Sequence, residues 1–165
     1  MVGLGNPQAG DDGVGWHAAD RIRGHPLLPA GVDVIQSREL LTLQDELHDR
    51  SLIVVVDALL EDGPCGRLCP IRDLAELDAR GGSVHHLPPA QELAFLRAAF
   101  PELRRTPLIV VGVTVQRAEV RHGLSPALAR RLDTIASGVL DLLAREAARL
   151  GPDPAGAPRP AGGAP

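Results

Sequence analysis

Residues 52–57 read LIVVVD, an apolar run that ends in an acid. Continuous runs rich in β-branched residues are typical of parallel strands that are covered on both faces. The stretch therefore predicts a buried strand that terminates at Asp57. A similar run at residues 108–113 predicts a second strand of the same kind. Together these two segments favour an α/β protein.

Working outward, strands alternate with amphipathic helices along the chain. Shorter strands are predicted at residues 1–4 and 32–35. Helical spacing of apolar residues predicts further segments at residues 10–23, 40–47 and 89–100 and from Ser125 onward, where Ser125 is the expected N-cap and Pro126 the first helical residue. This alternation predicts a three-layer αβα domain over residues 1–150, a twisted, mostly parallel sheet with helices on both faces.

Both ends of the chain are unusual. Buried strands usually have about five or six residues, so one interpretation of residues 1–4 is that the printed start lies inside a longer first strand. From Gly151 the sequence is rich in Gly, Pro and Ala. Such a composition cannot bury a core, so residues 151–165 are predicted to be a disordered tail.

Composition excludes several classes of protein. The chain has 165 residues, a net charge of −4 and only 2% aromatic residues, which disfavours nucleic-acid modules that stack bases or bind phosphates. Two cysteines, Cys65 and Cys69, are too few for a secreted disulfide framework. No signal peptide or membrane span is predicted. We therefore expect a cytoplasmic protein, without nucleic-acid or membrane partners, that acts as a monomer.

Three polar residues are expected at one edge of the sheet. Ligands of open α/β sheets bind outside the carboxyl ends of the strands. Asp12 follows the first strand, Asp57 ends a buried strand, and His85 precedes the helix at residues 89–100. Two carboxylates and one imidazole form a plausible open site for Ni²⁺ or Zn²⁺.

Each of these residues also has a structural alternative. Asp12 could lie in the first turn of a helix, where it would complement the helix dipole, with Asp11 as the expected N-cap. Asp57 could cap the turn after its strand, and His85 could be an ordinary loop histidine. His86 could replace His85 as the ligand.

Other site hypotheses are weaker. A two-carboxylate mechanism with Asp12 and Asp57 is a further possibility. The Gly3-Leu4-Gly5 turn begins like a dinucleotide fingerprint but lacks its third small residue. No organic cofactor is expected.

Several short motifs, taken in order, resemble the maturation endopeptidases of nickel–iron hydrogenases. They cover nearly all of residues 2–145 and read GLGNP at 3–7, GDDGVG at 10–15, VVVDA at 54–58, SVHHL at 83–87, VGV at 111–113 and GLSP at 123–126. Each motif is weak alone, and their order and spacing together are fairly specific.

The resemblance implies a twisted sheet between helices and a defined activity. Members remove the C-terminal extension of the hydrogenase large-subunit precursor after nickel insertion, and the nickel arrives with that precursor. The family's nickel-recognising positions fall on Asp12, Asp57 and His85. Many members carry Glu where this chain has Asp12, which shortens the reach by one methylene.

Two rival functions remain open. Peptidyl-tRNA hydrolases also begin with GLGNP, but they continue with a histidine-containing element where this chain has the acidic residues 10–15. A non-catalytic nickel-binding maturation factor could use the same fold. No serine or cysteine nucleophile is evident in the sequence, so we expect water to attack the peptide bond.

Overall fold

The computed structural model describes residues 1–80, 89–116 and 122–151. Within these ranges one sheet has five strands in the order β2-β1-β3-β5-β4. The strands are β1 (Val2–Leu4), β2 (Ile35–Ser37), β3 (Ile53–Leu60), β4 (Leu68–Ile71) and β5 (Leu108–Val115). All neighbours run parallel except β4, which is antiparallel to β5. The predicted mostly parallel α/β architecture is confirmed.

Helices cover both faces of the sheet. They are α1 (Val14–Ile22), α2 (Gln44–Leu47), α3 (Leu74–Arg80), α4 (Pro89–Ala99), α5 (Pro126–Ala129) and α6 (Leu132–Leu150). Side chains alternate along a strand, so β3 feeds two cores. Val54 and Val56 pack with α1 and α6, whereas Ile53 and Val55 pack with α2 and α4. The three layers predicted from the sequence are therefore present.

The long pairing of β3 with β5 corrects the predicted end of the central strand. The ladder runs from Ile53 opposite Leu108 to Leu60 opposite Val115, so Asp57 lies inside β3 and does not end it. The polar side chain does not stop the strand because β5 supplies a backbone partner on one side. On the other side the pairing with β1 reaches only Val56. Asp57 is thus the first residue of β3 after its pairing with β1 ends, level with Leu4 at the end of β1.

Other element boundaries also differ from expectation. The second strand begins at Ile35, opposite Val2, and not at residue 32. The strand β4 was not predicted, and it forms because β5 offers it an edge for antiparallel pairing. The buried Thr114 hydroxyl holds the preceding loop, accepting from the Arg67 N–H and donating to the Pro64 carbonyl. The helix α3 was not predicted.

The C-terminal region agrees with its predicted start. Ser125 caps α5 by accepting the Leu128 N–H at 3.3 Å, and Pro126 is the first helical residue. The expected single helix is divided into α5 and α6. The predicted tail lies outside the described residues, apart from Gly151. Among the helices described, none combines the length and apolar character that a bilayer crossing requires.

Candidate functional site at the carboxyl edge of the sheet

The loop after β1 is pressed directly onto the strand ends. A Cβ atom on Gly15 would lie 2.1 Å from the Val56 carbonyl oxygen and 2.4 Å from that of Leu4. Gly5 has a φ of +126°, and a Cβ there would lie 2.1 Å from the Asp12 carbonyl oxygen. Only glycine permits these approaches. They bring the start of α1, and the acidic residues before it, to the carboxyl ends of β1 and β3.

Asp12 lies in a 3-10 turn, Gly10–Gly13, that leads into α1. Its side chain belongs to a residue only 3% exposed, and its Oδ2 accepts the Asn6 N–H at 2.9 Å. The position just before a helix favours a negative charge because the helix dipole is positive there. This position is compatible with the helix-dipole role that was the structural alternative for Asp12. It also holds a carboxylate at the strand ends.

Asp11 has a different task from the one predicted. It does not cap α1, whose N-cap is Gly13 without a side-chain hydrogen bond. Its Oδ1 instead accepts the Ser125 N–H at 2.6 Å, and the residue is 7% exposed. This bond joins two segments 114 residues apart in sequence. Asp11 therefore fastens the loop after β1 to the start of α5.

Asp57 is 3% exposed and stands opposite Gly112 in the ladder between β3 and β5. Alternation places its side chain on the face of Val55, which is the face that α4 covers. The 3-10 turn that carries Asp12 contacts β3. The structure thus brings the turn of Asp12 and the strand position of Asp57 together at the carboxyl end of β1.

His85, the third predicted site residue, lies outside the described residues, as does its alternative His86. In the ranges that the structure covers, no group of three or more His, Cys, Asp or Glu side chains is arranged to hold a metal ion. Of the predicted ligands, Asp12 and Asp57 lie within the described residues. Carboxylate oxygens with a further nitrogen donor suit a borderline divalent cation.

Glu92 is a buried carboxylate that sequence reasoning missed. It is 3% exposed, and its Oε2 accepts the N–H groups of Leu40 at 2.6 Å and Leu41 at 3.0 Å. It thereby joins the first turn of α4 to the segment that follows β2. The sequence does contain a signal for the burial of Glu92. It lies four residues before Leu96 and so shares the buried face of the helix.

The two cysteines and the Gly3-Leu4-Gly5 turn take part in the packing of the domain and the strand ends. Cys65 and Cys69 are free, partly exposed thiols, and Cys65 packs against the core on the α1 side. A Cβ on Gly3 would lie 2.3 Å from the Gly15 carbonyl oxygen. The Gly3-Leu4-Gly5 turn is therefore filled by the chain's own helix, which accounts for its glycines without a dinucleotide.

Comparison with known proteins defines the class of fold. No protein-family model matches the chain, and no curated protein matches it. Among solved structures, it is similar to the hydrogenase maturating endopeptidase HybD from E. coli, with a TM-score of 0.69, 22% identity, and coverage of 88% of this chain and 91% of that one. The chain therefore has the fold that its motifs resemble.

Further solved structures point the same way. The [NiFe] hydrogenase maturation protease HycI from Thermococcus kodakarensis KOD1 has a TM-score of 0.67 at 20% identity, covering 87% of this chain and 90% of its own. The endopeptidase HycI from E. coli has a TM-score of 0.66 at 17% identity, covering 88% and 89%. At these identities the likeness establishes the hydrogenase-maturation-endopeptidase fold, and the activity is argued from the site.

Proposed function

We propose that the chain is an endopeptidase that removes the C-terminal extension of a nickel-loaded hydrogenase large-subunit precursor. The observation that carries the proposal is the pair of buried acids, Asp12 and Asp57, on contacting elements at the carboxyl edge of the sheet. In this fold class that edge is where ligands bind. The similar solved structures are named as hydrogenase maturation proteases, which supports the same activity here.

The negative charge of the two acids favours a cation as the group that the protein recognises on its substrate. Carboxylate oxygens are common protein ligands of divalent cations, so a divalent ion carried by the precursor suits this pair of acids. The nickel is then part of the substrate, and Asp12 and Asp57 with His85 complete its coordination. Recognition in this form distinguishes a loaded precursor from an empty one.

The hydrolytic step is assigned to water. We propose that docking through nickel places the scissile bond at the carboxyl edge, where a water attacks the carbonyl carbon. The C–N bond then breaks, the amine takes up a proton, and two peptide ends result. Asp12 or Asp57 is the candidate base for the attacking water, since each is a carboxylate at that edge.

The test compares precursors that differ only in nickel. Purified protein is incubated with nickel-loaded and nickel-free large-subunit precursor, and any released peptide is identified by mass. We expect release from the loaded precursor alone, and adding nickel to the buffer of the empty precursor should not replace it. Binding of the loaded precursor without release would favour the non-catalytic maturation factor. Hydrolysis of peptidyl-tRNA with no action on either precursor would favour the rival hydrolase.

A matched pair of variants separates recognition from folding. Asp12→Asn and Asp11→Asn make the same chemical change at neighbouring buried positions. Asp12→Asn should abolish most peptide release, because it removes a charge aimed at the cation. Asp11→Asn should retain release, since its amide oxygen can still accept the Ser125 N–H. Equal losses in both variants would show that loop placement, and not charge at Asp12, controls the activity.

A further inference from the structure

The first turn of α4 is joined to another part of the domain by a single buried side chain. Glu92 is 3% exposed, and its Oε2 accepts the N–H groups of Leu40 at 2.6 Å and Leu41 at 3.0 Å. These N–H groups open a 3-10 turn, Leu40–Leu43, that continues into α2. Within the described residues, the side chain of Glu39, which precedes the turn, forms no capping bond to it. Glu92 therefore supplies the cap of this helical segment from α4.

The chemistry of this cap makes it a strong connection. The first N–H groups of a helical segment have no partner inside the helix, and the helix dipole there favours a negative charge. Hydrogen bonds to an ionised acceptor are about twice as strong as neutral ones. Replacing Glu92 by an apolar residue would therefore release the start of α4 from the segment that follows β2.

The capped segment is itself bonded to the loop that carries Asp12. Ser37 ends β2, three residues before the capped turn, and its carbonyl oxygen accepts the Gly5 N–H at 3.1 Å. The next residue, Asn6, donates its N–H to the Asp12 Oδ2 at 2.9 Å. Hydrogen bonds and short stretches of backbone thus lead along the carboxyl edge from Asp12 to the segment that Glu92 caps. The first turn of α4 consequently lies at the carboxyl edge, in a position fixed relative to Asp12.

The start of α4 also concerns the other two residues of the proposed site. Leu93, in the first part of α4, packs in the core on the sheet face to which the side chain of Asp57 belongs. In the sequence, His85 precedes Pro89, the first residue of α4, by four residues. A displaced first turn would therefore change the surroundings of Asp57 and the point from which the chain leads back to His85.

We propose that Glu92 is a positioning residue for recognition of the nickel-loaded precursor, because it holds the start of α4 at a set distance from Asp12. The inference rests on the proposed function and concerns the same carboxyl edge. Glu92 acts through the placement of α4, since its Oε2 is engaged by two backbone N–H groups. Its loss should weaken recognition of the precursor more than the hydrolytic step.

The experiment measures KM and kcat for peptide release from nickel-loaded precursor with the parent, Glu92→Ala and Arg97→Ala. Arg97 is the matched control, because its side chain donates to the Thr106 carbonyl oxygen at 3.0 Å and so fastens a later part of α4. We expect Glu92→Ala to raise KM at least about tenfold with kcat within about threefold of the parent, and Arg97→Ala to keep KM within about twofold. A variant that is only destabilised contains less active protein, which lowers the apparent kcat and leaves KM unchanged.

Two further variants separate the hydrogen bonds of Glu92 from its charge. Glu92→Gln keeps an oxygen that accepts both N–H groups, so its KM should lie within about threefold of the parent. Glu92→Asp keeps the charge but withdraws the oxygen by one methylene, so its KM should rise as in Glu92→Ala. Glu92→Asp also takes the place of Glu92→Ala if the alanine variant does not fold.

Hydrogen exchange reports the cap without any precursor. We expect the Leu40 and Leu41 amides to exchange at least about tenfold faster in Glu92→Ala than in the parent, and at the parental rate in Arg97→Ala. Unchanged exchange at both amides would show that the cap does not hold the segment, which would overturn the proposal.

Three kinetic results would also overturn the role of Glu92. They are a parental KM in folded Glu92→Ala, an equal rise of KM in Arg97→Ala, and a KM for Glu92→Gln as high as that for Glu92→Ala. Each of these leaves the proposed function standing, provided that the parent releases peptide from the loaded precursor. If the parent releases no peptide, the proposed function fails, and this inference fails with it.

Discussion

The two edges of the sheet differ in what they bury. At the carboxyl edge, glycines let the loop after β1 pack onto the strand ends, and the exposed fractions of Asp11, Asp12 and Asp57 are 7%, 3% and 3%. At the amino edge, β1 starts two residues later than β3 and a cavity of about 530 Å³ lies in line with it. One edge holds buried acids, whereas the cavity at the other is lined by apolar and charged side chains of both signs, so we assign cation recognition to the first edge.

The largest effect is expected from Asp57→Asn. This change keeps the shape of the side chain and removes its charge, so nickel recognition should fail while the fold persists. Loss of even an outer partner of a metal site commonly costs about 10–100-fold, and we expect at least about 100-fold slower peptide release. The Tm should stay within about 3 °C of the parent, because a neutral amide is easier to bury than a carboxylate. Normal release by a folded Asp57→Asn protein would contradict the assignment.

Asp12 gives a graded version of the same test. Asp12→Ala should lose release as Asp57→Asn does. Asp12→Glu keeps the charge and matches the longer acid common in the resembled family, so its rate should remain within about tenfold of the parent. Rates from nickel-loaded precursor, with circular dichroism for folding, decide the outcome. If Glu is as inactive as Ala while both are folded, the carboxylate at this position does not act through its charge.

The next effect concerns stability at the same edge. Asp11→Ala leaves the Ser125 N–H without its 2.6 Å acceptor. Loss of a hydrogen bond to a charged group costs about 1.5–3 kcal/mol, which corresponds to a Tm lower by several degrees. Denaturant unfolding measures the loss directly. An unchanged free energy of unfolding would show that the bond between the loop and α5 contributes nothing to the fold.

A smaller effect is expected at the amino edge, from the Met1 amine. Burial, and secondarily the nearby Arg50 guanidinium, lower the pKa of this amine from 8.0 to about 6 in the folded protein. Between pH 6 and 8 the unfolded chain therefore binds a proton that the folded chain does not, so stability should rise with pH through this window. Acetylating the amine should flatten that part of the curve. An identical pH dependence in the acetylated and the unmodified protein would refute the buried amine.

The smallest effect is predicted for deletion of residues 152–165. Their composition cannot support packing, so the Tm and the rate of peptide release should both remain nearly unchanged. Thermal unfolding and the release assay on the shortened chain measure both. A substantial loss of either would show that the tail packs against the domain.

Much of the fold was predictable because apolar periodicity reports burial directly. Helical spacing predicted the segment at residues 10–23, and its apolar residues Val14, Ala18 and Ile22 are all fully buried. The errors arose where partner strands decide the outcome. Asp57 looks like a strand end in sequence, yet pairing with β5 carries the strand to Leu60. The strand β4 depends on the same edge, which no local pattern reveals.

The site was predictable only in part, for a related reason. Topology places Asp12 and Asp57 at one edge. Asp12 follows the short parallel strand β1, and Asp57 comes directly after the residues of β3 that pair with β1. The division of labour between Asp11 and Asp12 depends on a contact with Ser125 that is 114 residues distant. Glu92 serves backbone N–H groups of another segment, so its burial has no signature beyond its helix face. The metal-binding roles of Asp12, Asp57 and His85 stay predictions.

The most direct test of cation recognition is to locate nickel on the molecule. Crystals of the parent chain and of Asp57→Asn are soaked in Ni²⁺, and anomalous difference maps are collected at the nickel absorption edge. We predict a peak at the carboxyl edge, within coordination distance of the Asp12 and Asp57 oxygens, that is lost in Asp57→Asn. A peak that appears only elsewhere, or one at this edge that survives Asp57→Asn unchanged, would contradict the assignment of this edge to nickel.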